Sequence, residues 1–186
     1  MDIYLVRHTS VAVNPGVCYG QSEVELSDHF DQEVNALRGR LPDSFDQIYS
    51  SPSLRCTRLA RQFGDSLEQD SRLLEYNFGD WEMLRWSEID QNSLDPWMQD
   101  FVSIAPPNGE NLIAMLNRIE SFLDDLRDDT ESRVLISTHA GVIRCFWAAL
   151  LQIPLNNIFK IRVDYGSIFH IKLNTDPHHD VIYSWQ

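Results

Sequence analysis

The chain has 186 residues, of which 43% are hydrophobic and 23% are charged, a composition typical of a globular domain and not of a disordered or fibrous chain. Its 15 basic and 28 acidic residues give a formal net charge of -13. Because nucleic acids and anionic membranes are bound by basic surfaces, we expect neither as a partner. A small phosphorylated metabolite is compatible with this charge, since a cleft can focus a positive field within an acidic protein.

The three cysteines, Cys18, Cys56 and Cys145, include no C-x-x-C pair. We therefore expect buried free thiols, and neither a disulfide framework nor a structural zinc site. Residues 1–7 lack the basic and apolar regions of a secretory signal, and no window of the sequence approaches the roughly 20 apolar residues of a membrane span. These features predict a reduced, cytoplasmic protein.

The first half of the chain alternates predicted strands and helices, with Ser or Pro placed where helices begin or end. A long stretch rich in turn residues follows the first strand, and loops of this length in compact domains are often functional. The predicted elements are a strand at 3–6, a loop at 9–26, a helix from Ser27 to about Arg40, a strand at 47–50, and a helix that begins at Ser51 and Pro52.

The second half opens with a segment of different character. Residues 76–108 contain three tryptophans and three prolines at irregular spacing, which predicts short helices that form a cap. Apolar residues at helical spacing over 112–126 then predict the clearest helix of the chain. The remaining predictions are an acidic solvated loop at 128–131, a strand at 133–137, a helix at 142–151, and strands at 159–163, 167–173 and 181–185.

This alternation over most of the length predicts a single α/β domain, residues 1–186. We expect a three-layer α/β/α sandwich with a mostly parallel central sheet and a small helical cap insert at about 76–108. In open α/β sheets, ligands bind at the carboxyl ends of the strands. The residues that follow each predicted strand are therefore the first candidates for a functional site.

Basic and imidazole side chains occupy those positions. Arg7 and His8 leave the first strand. Arg55 lies near the start of the helix after the second strand, and His139 leaves the most apolar strand. Because parallel strands end at the same edge of a sheet, we expect these four side chains to meet there. Arginine forks and imidazoles in one cleft indicate a site for a small anion.

The motifs of several common hydrolase and phosphate chemistries are absent from the sequence. It contains no G-x-x-x-x-G-K-[ST] loop, no G-x-S-x-G turn, and no Cys followed by Arg six positions later. Common metal-ligand spacings such as H-E-x-x-H are also missing. We therefore expect no metal and no cofactor, and we interpret His178 and His179 as part of a polar turn.

Five sequence blocks, taken together, form a pattern that is specific to one protein family. They are LVRHT at 5–9 with Asn14, SSPSLR at 50–55, LE at 74–75 with FGDWE at 78–82, NGE at 108–110, and STHAGVIR at 137–144. In content and order they resemble the signature of the histidine phosphatase (phosphoglycerate mutase-like) superfamily, over almost the whole chain. The resemblance implies an enzyme that cleaves phosphate esters without a metal.

Three further segments are similar to one group within that superfamily, the α-ribazole phosphatases. They are residues 16–21, FGDWEM at 78–83, and residues 159–166. This resemblance implies a phosphomonoesterase that hydrolyses α-ribazole 5′-phosphate to α-ribazole, a late step of cobalamin biosynthesis.

The resemblance also implies roles for the residues at the strand ends. His8 is expected to be the nucleophile and to form a phosphohistidine intermediate. Its reactive ring nitrogen must be unprotonated, so the other nitrogen needs an acceptor, for which a main-chain carbonyl of the 9–26 loop is available. Fixed cations must balance the charge of the phosphoryl group in transfer, and we assign this task to Arg7, Arg55 and His139.

A carboxylic acid is expected to protonate the leaving alkoxide and then to activate water. Glu75 matches the acid position of the family, and Glu82, next to Trp81, is the alternative. Additional contacts with the substrate are predicted for Asn14, Gly20, Gln21, Ala140 and Glu82.

The chain departs from the family pattern at three positions. Thr9 and Ala140 replace glycines that usually follow the two histidines, and Glu23 stands where relatives often have Asp. Thr and Ala are small, so we expect the backbone N–H groups near the phosphate to keep their places.

Two other functions fit the same residues. A phosphoglycerate mutase or a broad-specificity sugar-phosphate phosphatase would use the same phosphate chemistry. A non-catalytic sensor of phosphorylated ligands would use the same pocket but would not need the acid Glu75. Apolar residues of the C-terminal strands would also allow a homodimer.

Overall fold

A central six-stranded sheet organises the chain, for which the computed structural model describes residues 1–128 and 132–185. The strands are β1 (Asp2–Arg7), β2 (Gln47–Ser50), β3 (Leu67–Gln69), β4 (Arg133–Thr138), β5 (Ile168–Lys172) and β6 (Val181–Trp185). Their order is β3-β2-β4-β1-β5-β6. The first four are mutually parallel, and β5 is antiparallel to both β1 and β6. The predicted mostly parallel sheet is confirmed.

Helices cover both faces of this sheet. They are α1 (Phe30–Arg38), α2 (Leu54–Ala60), α3 (Gln91–Gln99), α4 (Leu112–Arg127) and α5 (Ala140–Leu151). Along β4, Val134 and Ile136 pack against α4 and α5, whereas Leu135 packs against α1 and α2. This alternation follows from the two-residue period of a strand. The structure thus has the three layers that the sequence predicted.

The segment 76–108 forms the predicted cap. It contains α3 and two short 3₁₀ turns, Gly79–Trp81 and Trp86–Glu88. Buried Trp81, Ile89 and Trp97 form a separate core with Cys18, so the cap also packs on the long loop after β1. Position 79 (φ +55°) requires glycine, because a Cβ there would lie 2.1 Å from the Pro107 carbonyl oxygen.

Several predicted elements differ from the observed ones. The strand predicted at 159–163 is wrong, because Pro154 starts a 3₁₀ segment, Leu155–Lys160, that buries Ile158 and leaves Phe159 53% exposed. Strand β3 was missed, since it is a three-residue edge strand with two exposed polar positions. Ser53, and not Ser51, precedes α2, and α1 begins three residues after Ser27.

Two further predictions concern the whole chain. The three cysteines are free and buried, as predicted. Within residues 1–128 and 132–185, none of the helices combines the length and the apolar character that crossing a membrane would require. Most of the predicted acidic loop, residues 129–131, lies outside the described residues.

Candidate active site

Neighbouring parallel strands β2, β4 and β1 end at one edge of the sheet. The His8 N–H donates to the Thr138 carbonyl (2.9 Å), and the Ser51 N–H donates to the Ser137 carbonyl (3.0 Å). His139 follows β4 directly, and its ring centroid lies 5.2 Å from that of His8. Sheet pairing therefore places both histidines and Ser51 next to one another.

His8 is held as a neutral imidazole. Its Nδ1 lies 2.7 Å from the Thr9 carbonyl oxygen, an acceptor, so Nδ1 carries the proton and Nε2 presents a lone pair. Burial, together with the charges of Arg55 and Arg7, holds the pKa of His8 well below its usual value. The main-chain carbonyl that we expected from the 9–26 loop is thus that of Thr9, the first residue of this loop.

The departures from the family pattern fit the backbone. The described non-glycine residues with positive φ are Met83, Asn108 and Gln152, so neither Thr9 nor Ala140 occupies a conformation that needs glycine. Ala140 is the first residue of α5. The Glu23 carboxylate accepts the Leu54 N–H (3.1 Å) in the first turn of α2, where a negative charge is favourable.

Arg55 is fully buried, with 0% of its surface exposed. Its Nη1 donates to the Ser22 carbonyl (2.8 Å) and its Nη2 to the Gly20 carbonyl (2.6 Å). Arg7 donates from Nη1 to the Val163 carbonyl (2.7 Å). Main-chain carbonyls from separate parts of the chain therefore fix both guanidinium groups.

Neither Arg7 nor Arg55 forms an ion pair with a carboxylate of the described residues. In both, Nε is buried and lacks a hydrogen-bond partner within that part of the chain. A buried cation without a counter-ion, and a buried N–H without an acceptor, each destabilise the folded state. An anion with several oxygens would relieve both costs, so these arginines form a candidate anion site beside His8.

His139 completes this group. It is 0% exposed, and its Nε2 lies 2.8 Å from Ser51 Oγ and 3.5 Å from Cys56 Sγ. Burial and the neighbouring His8 and Arg55 hold the pKa of His139 well below its usual value. The free chain therefore has a neutral His139. A phosphate dianion at the site would favour its protonation.

Glu75 reaches the same edge from the loop before the cap. Its Oε2 accepts the Gly141 N–H (3.1 Å) in the first turn of α5, and its Oε1 accepts the Tyr76 N–H (2.9 Å). The Gln21 side chain donates to the Glu75 carbonyl (2.9 Å). The carboxylate therefore lies at the start of α5, two residues from His139.

Glu82, the alternative acid and a predicted substrate contact, has a different environment. Its Oε1 accepts the N–H groups of Gln21 (2.8 Å) and Phe78 (3.3 Å). Its Oε2 accepts both the N–H and the hydroxyl of Ser22. Four donors thus occupy this carboxylate, which holds the loop whose carbonyls bind Arg55. Glu82 is a positioning residue in this structure.

The other predicted contacts are placed as follows. Asn14 is exposed, and its carbonyl accepts the Val17 N–H in a turn, so its contact with a substrate stays a prediction. The Gly20 carbonyl is engaged by Arg55, and a Cβ at Gly20 would lie 2.4 Å from Glu82 Oε1. Gly20 therefore serves close packing here, whereas a substrate contact of Gln21 or Ala140 stays a prediction.

A cavity of about 90 Å³ adjoins Glu75. Glu75 and Arg144 are its charged lining residues; the others are Tyr76, Phe78, Trp97, Leu112, Met115, Gly141, Ile158 and Phe159. Arg144 Nε donates to the Ile161 carbonyl (3.0 Å), and its guanidinium carbon lies 5.5 Å from the Phe159 ring centroid. The cavity can take a mainly apolar or aromatic group with a hydrogen-bond acceptor.

Sequence reasoning missed several residues that the fold brings to the site: Ser51, Cys56, Gly141, Tyr19 and Tyr165. Ser51 follows β2 directly, so the strand-end argument could have found it. The two tyrosines come from segments 146 positions apart, and no local signal connects them. Within the described residues, no group of three His, Cys, Asp or Glu side chains is arranged to hold a metal ion.

Substitution of Gly141 tests the position of Glu75. A Cβ at Gly141 would lie 2.2 Å from Glu75 Oε1, so we expect Gly141→Ala to displace the carboxylate and lower kcat about 100-fold. Ala is the better helix former, so the thermal unfolding midpoint should not fall in parallel. Gly39→Ala is the matched control, because the nearest atom there is 3.7 Å away. Wild-type kcat for Gly141→Ala would contradict this placement.

Comparison with known proteins identifies the family. The histidine phosphatase superfamily (branch 1) matches residues 3–185. An adenosylcobalamin/alpha-ribazole phosphatase of Salmonella typhimurium is 28% identical over 89% of this chain and 87% of its own. Phosphoserine phosphatase 1 of Hydrogenobacter thermophilus is 26% identical over 90% of this chain and 84% of its own.

The fold agrees with this assignment. The crystal structure of the alpha-ribazole phosphatase from Shigella flexneri superposes with a TM-score of 0.88, at 27% identity, over 98% of this chain and 95% of that one. Together with the family match over almost the whole sequence, this shows that the chain belongs to branch 1 of the histidine phosphatase superfamily and is a phosphatase.

Proposed function

We propose that this phosphatase hydrolyses α-ribazole 5′-phosphate to α-ribazole and phosphate, through a phosphohistidine on His8. One observation carries the proposal: Glu75 borders two unlike compartments. On one side, the Gly141 N–H binds its carboxylate two residues after His139, whose ring centroid lies 5.2 Å from that of His8. On the other side lies the aromatic cavity. An acid in this position can serve a phosphate ester whose alcohol is largely apolar and aromatic.

The first half of the reaction transfers the phosphoryl group to the protein. His8 Nε2 attacks phosphorus while the bond from phosphorus to the ribose 5′-oxygen breaks. Arg7, Arg55 and His139 donate hydrogen bonds to the non-bridging oxygens and balance their charge. Glu75, in its acid form, gives its proton to the leaving oxygen. The products of this step are α-ribazole and the phosphohistidine.

The second half returns His8 to its starting state. The Glu75 carboxylate takes a proton from water as the water oxygen attacks phosphorus, and the bond between phosphorus and Nε2 breaks. Phosphate leaves, and Nε2 regains its lone pair. Because Thr9 keeps the proton on Nδ1 throughout, the same ring nitrogen is ready for the next turnover.

The cavity supports the choice of alcohol. The base of α-ribazole is an uncharged, methylated benzimidazole, which matches the Phe78, Trp97 and Phe159 lining. Burial of apolar area contributes about 25 cal/mol per Å², and offset or edge contacts between aromatic rings add to it. Alpha-ribazole phosphatases among the curated relatives and among the solved structures also favour this substrate.

A second candidate, a phosphatase for a carboxylate-bearing ester, has one observation in its favour. Arg144 lines the cavity, and its Nε donates to the Ile161 carbonyl. Its two terminal nitrogens have no hydrogen-bond partner within the described residues. A leaving group such as serine or glycerate would offer it a carboxylate. The phosphoserine phosphatase among the relatives points the same way.

Trapping the intermediate tests the nucleophile. Rapid mixing with ³²P-labelled substrate and denaturation in alkali should retain label on His8, because phosphohistidine is stable to base and labile to acid. His8→Ala should show no label and less than about a hundredth of the wild-type kcat. Label on any other residue, or turnover above that limit, would refute the assignment.

Leaving groups of different basicity test the acid. An alkoxide needs a proton to leave, whereas p-nitrophenolate does not. Glu75→Gln should therefore slow phosphorylation of His8 by a sugar phosphate about 100-fold, but by p-nitrophenyl phosphate less than tenfold. Single-turnover mixing isolates this step. Equal losses for both substrates would place the acid elsewhere.

A substrate panel separates the two candidate functions. We expect kcat/KM for α-ribazole 5′-phosphate to exceed that for phosphoserine and 3-phosphoglycerate at least tenfold, a difference of about 1.4 kcal/mol in transition-state binding. Arg144→Met should then lower kcat/KM more for phosphoserine than for α-ribazole 5′-phosphate. The reverse order of wild-type kcat/KM would favour the carboxylate-bearing ester, and phosphate exchange between 3-phosphoglycerate and its bisphosphate would indicate a mutase.

A further inference from the structure

The proposed nucleophile is closed off from solvent. His8 is 1% exposed, and the neighbouring Arg55 and His139 are each 0% exposed. A phosphoryl group must nevertheless come within bonding distance of His8 Nε2. Some part of the chain must therefore move when a phosphate ester enters, and the residues between His8 and solvent are the candidates.

Two tyrosines lie over the phosphate side of the site. The Tyr165 ring centroid is 3.8 Å from the guanidinium carbon of Arg7 and 5.5 Å from the His8 ring centroid. The Tyr19 ring centroid is 5.4 Å from the guanidinium carbon of Arg55. Tyr165 is also 39% exposed to solvent. Each tyrosine thus lies next to one of the two arginines of the candidate anion site, and Tyr165 is the one that borders solvent.

The tyrosines come from opposite sides of the site and meet through their side chains. Their hydroxyl oxygens are 2.8 Å apart and share a hydrogen bond. Burial and the neighbouring Tyr165 raise the pKa of Tyr19, so Tyr19 contributes a neutral hydroxyl to this contact. A bond of this kind, partly exposed to water, stabilises the closed arrangement only modestly.

The backbones on both sides are fixed independently of this contact. The Gly20 carbonyl, next to Tyr19, binds Arg55. The Gly166 N–H, next to Tyr165, donates to the carbonyls of Arg7 (3.2 Å) and His8 (3.4 Å). Separation of the two tyrosines therefore needs only side-chain rotation, while the arginines that will hold the phosphate stay in place.

We infer that Tyr19 and Tyr165 form a gate over the phosphate site: their shared hydrogen bond closes the entrance to His8 in the free chain and breaks when a phosphate ester enters. The two tyrosines thereby set the fraction of molecules that can accept phosphate, and the apparent affinity falls in proportion to that fraction. The inference rests on the proposed function only in taking His8 as the residue that the ester must reach.

Removal of either hydroxyl breaks the same bond and leaves both rings in place, so Tyr19→Phe and Tyr165→Phe form a matched pair. Loss of one such hydrogen bond should increase the fraction of molecules with an open gate roughly two- to tenfold. Each variant should lower the inhibition constant of inorganic phosphate, and raise kcat/KM for p-nitrophenyl phosphate, by about that factor. The double variant should equal either single variant, since one bond is lost in all three.

A second measurement follows access to His8 without turnover. Diethyl pyrocarbonate carbethoxylates neutral imidazoles, and peptide mass spectrometry reports the modified fraction of His8 over time. The rate at His8 should rise about two- to tenfold in all three variants and should fall when inorganic phosphate is added. Tyr183→Phe, at an exposed tyrosine of β6, is the control and should label like the wild type.

The opposite results would overturn the gate. If kcat/KM falls in each single variant and the losses multiply in the double variant, the hydroxyls contact the substrate directly. If neither phosphate inhibition nor His8 labelling changes, the pair does not control access. Because labelling needs no substrate, it remains informative even if α-ribazole 5′-phosphate is not hydrolysed, so the two proposals can fail separately.

Discussion

The structure depends on keeping two guanidinium groups, those of the fully buried Arg55 and the partly buried Arg7, in place without a carboxylate partner among the described residues. Arg7 and Arg55 are held by the main-chain carbonyls of Val163, Ser22 and Gly20. Carbonyl oxygens orient an arginine but leave its charge largely uncompensated, so the free-energy cost of burial persists until an anion arrives. Binding of phosphate then relieves that cost. A carboxylate in the same place would have neutralised the site in advance.

Much of the surrounding chain holds those main-chain carbonyls in position. Glu82 anchors the loop at Gln21 and Ser22, and the cap in turn anchors Glu82 through Phe78. The segment after residue 160 returns to β1 and supplies Val163 and Gly166. The net charge of -13 therefore coexists with a local positive field, because the carboxylates near the arginines bind backbone N–H groups and not the guanidinium groups.

The residues that could be predicted are those whose position depends on one strand end. His8 and His139 follow β1 and β4, so a correct strand assignment was enough to bring them together. The role of Glu82 depends on four donors from two loops, and residue type alone could not separate it from Glu75. The strand predicted at 159–163 failed for a related reason: its first two residues end the 3₁₀ segment Leu155–Lys160, and Phe159 lines the cavity instead of pairing in the sheet.

The two compartments beside Glu75 also explain why chemistry and substrate are predictable to different degrees. The phosphate side is built from strand ends and main-chain carbonyls, so it depends little on which apolar side chains line the cavity. The cavity is built from side chains of the cap, α4, α5 and the segment after α5, and each can change without moving His8. Family membership therefore fixes the reaction, whereas in the function that we propose the alcohol is selected by packing among Trp97, Phe159 and Arg144, where a single substitution can exchange an aromatic contact for an ionic one.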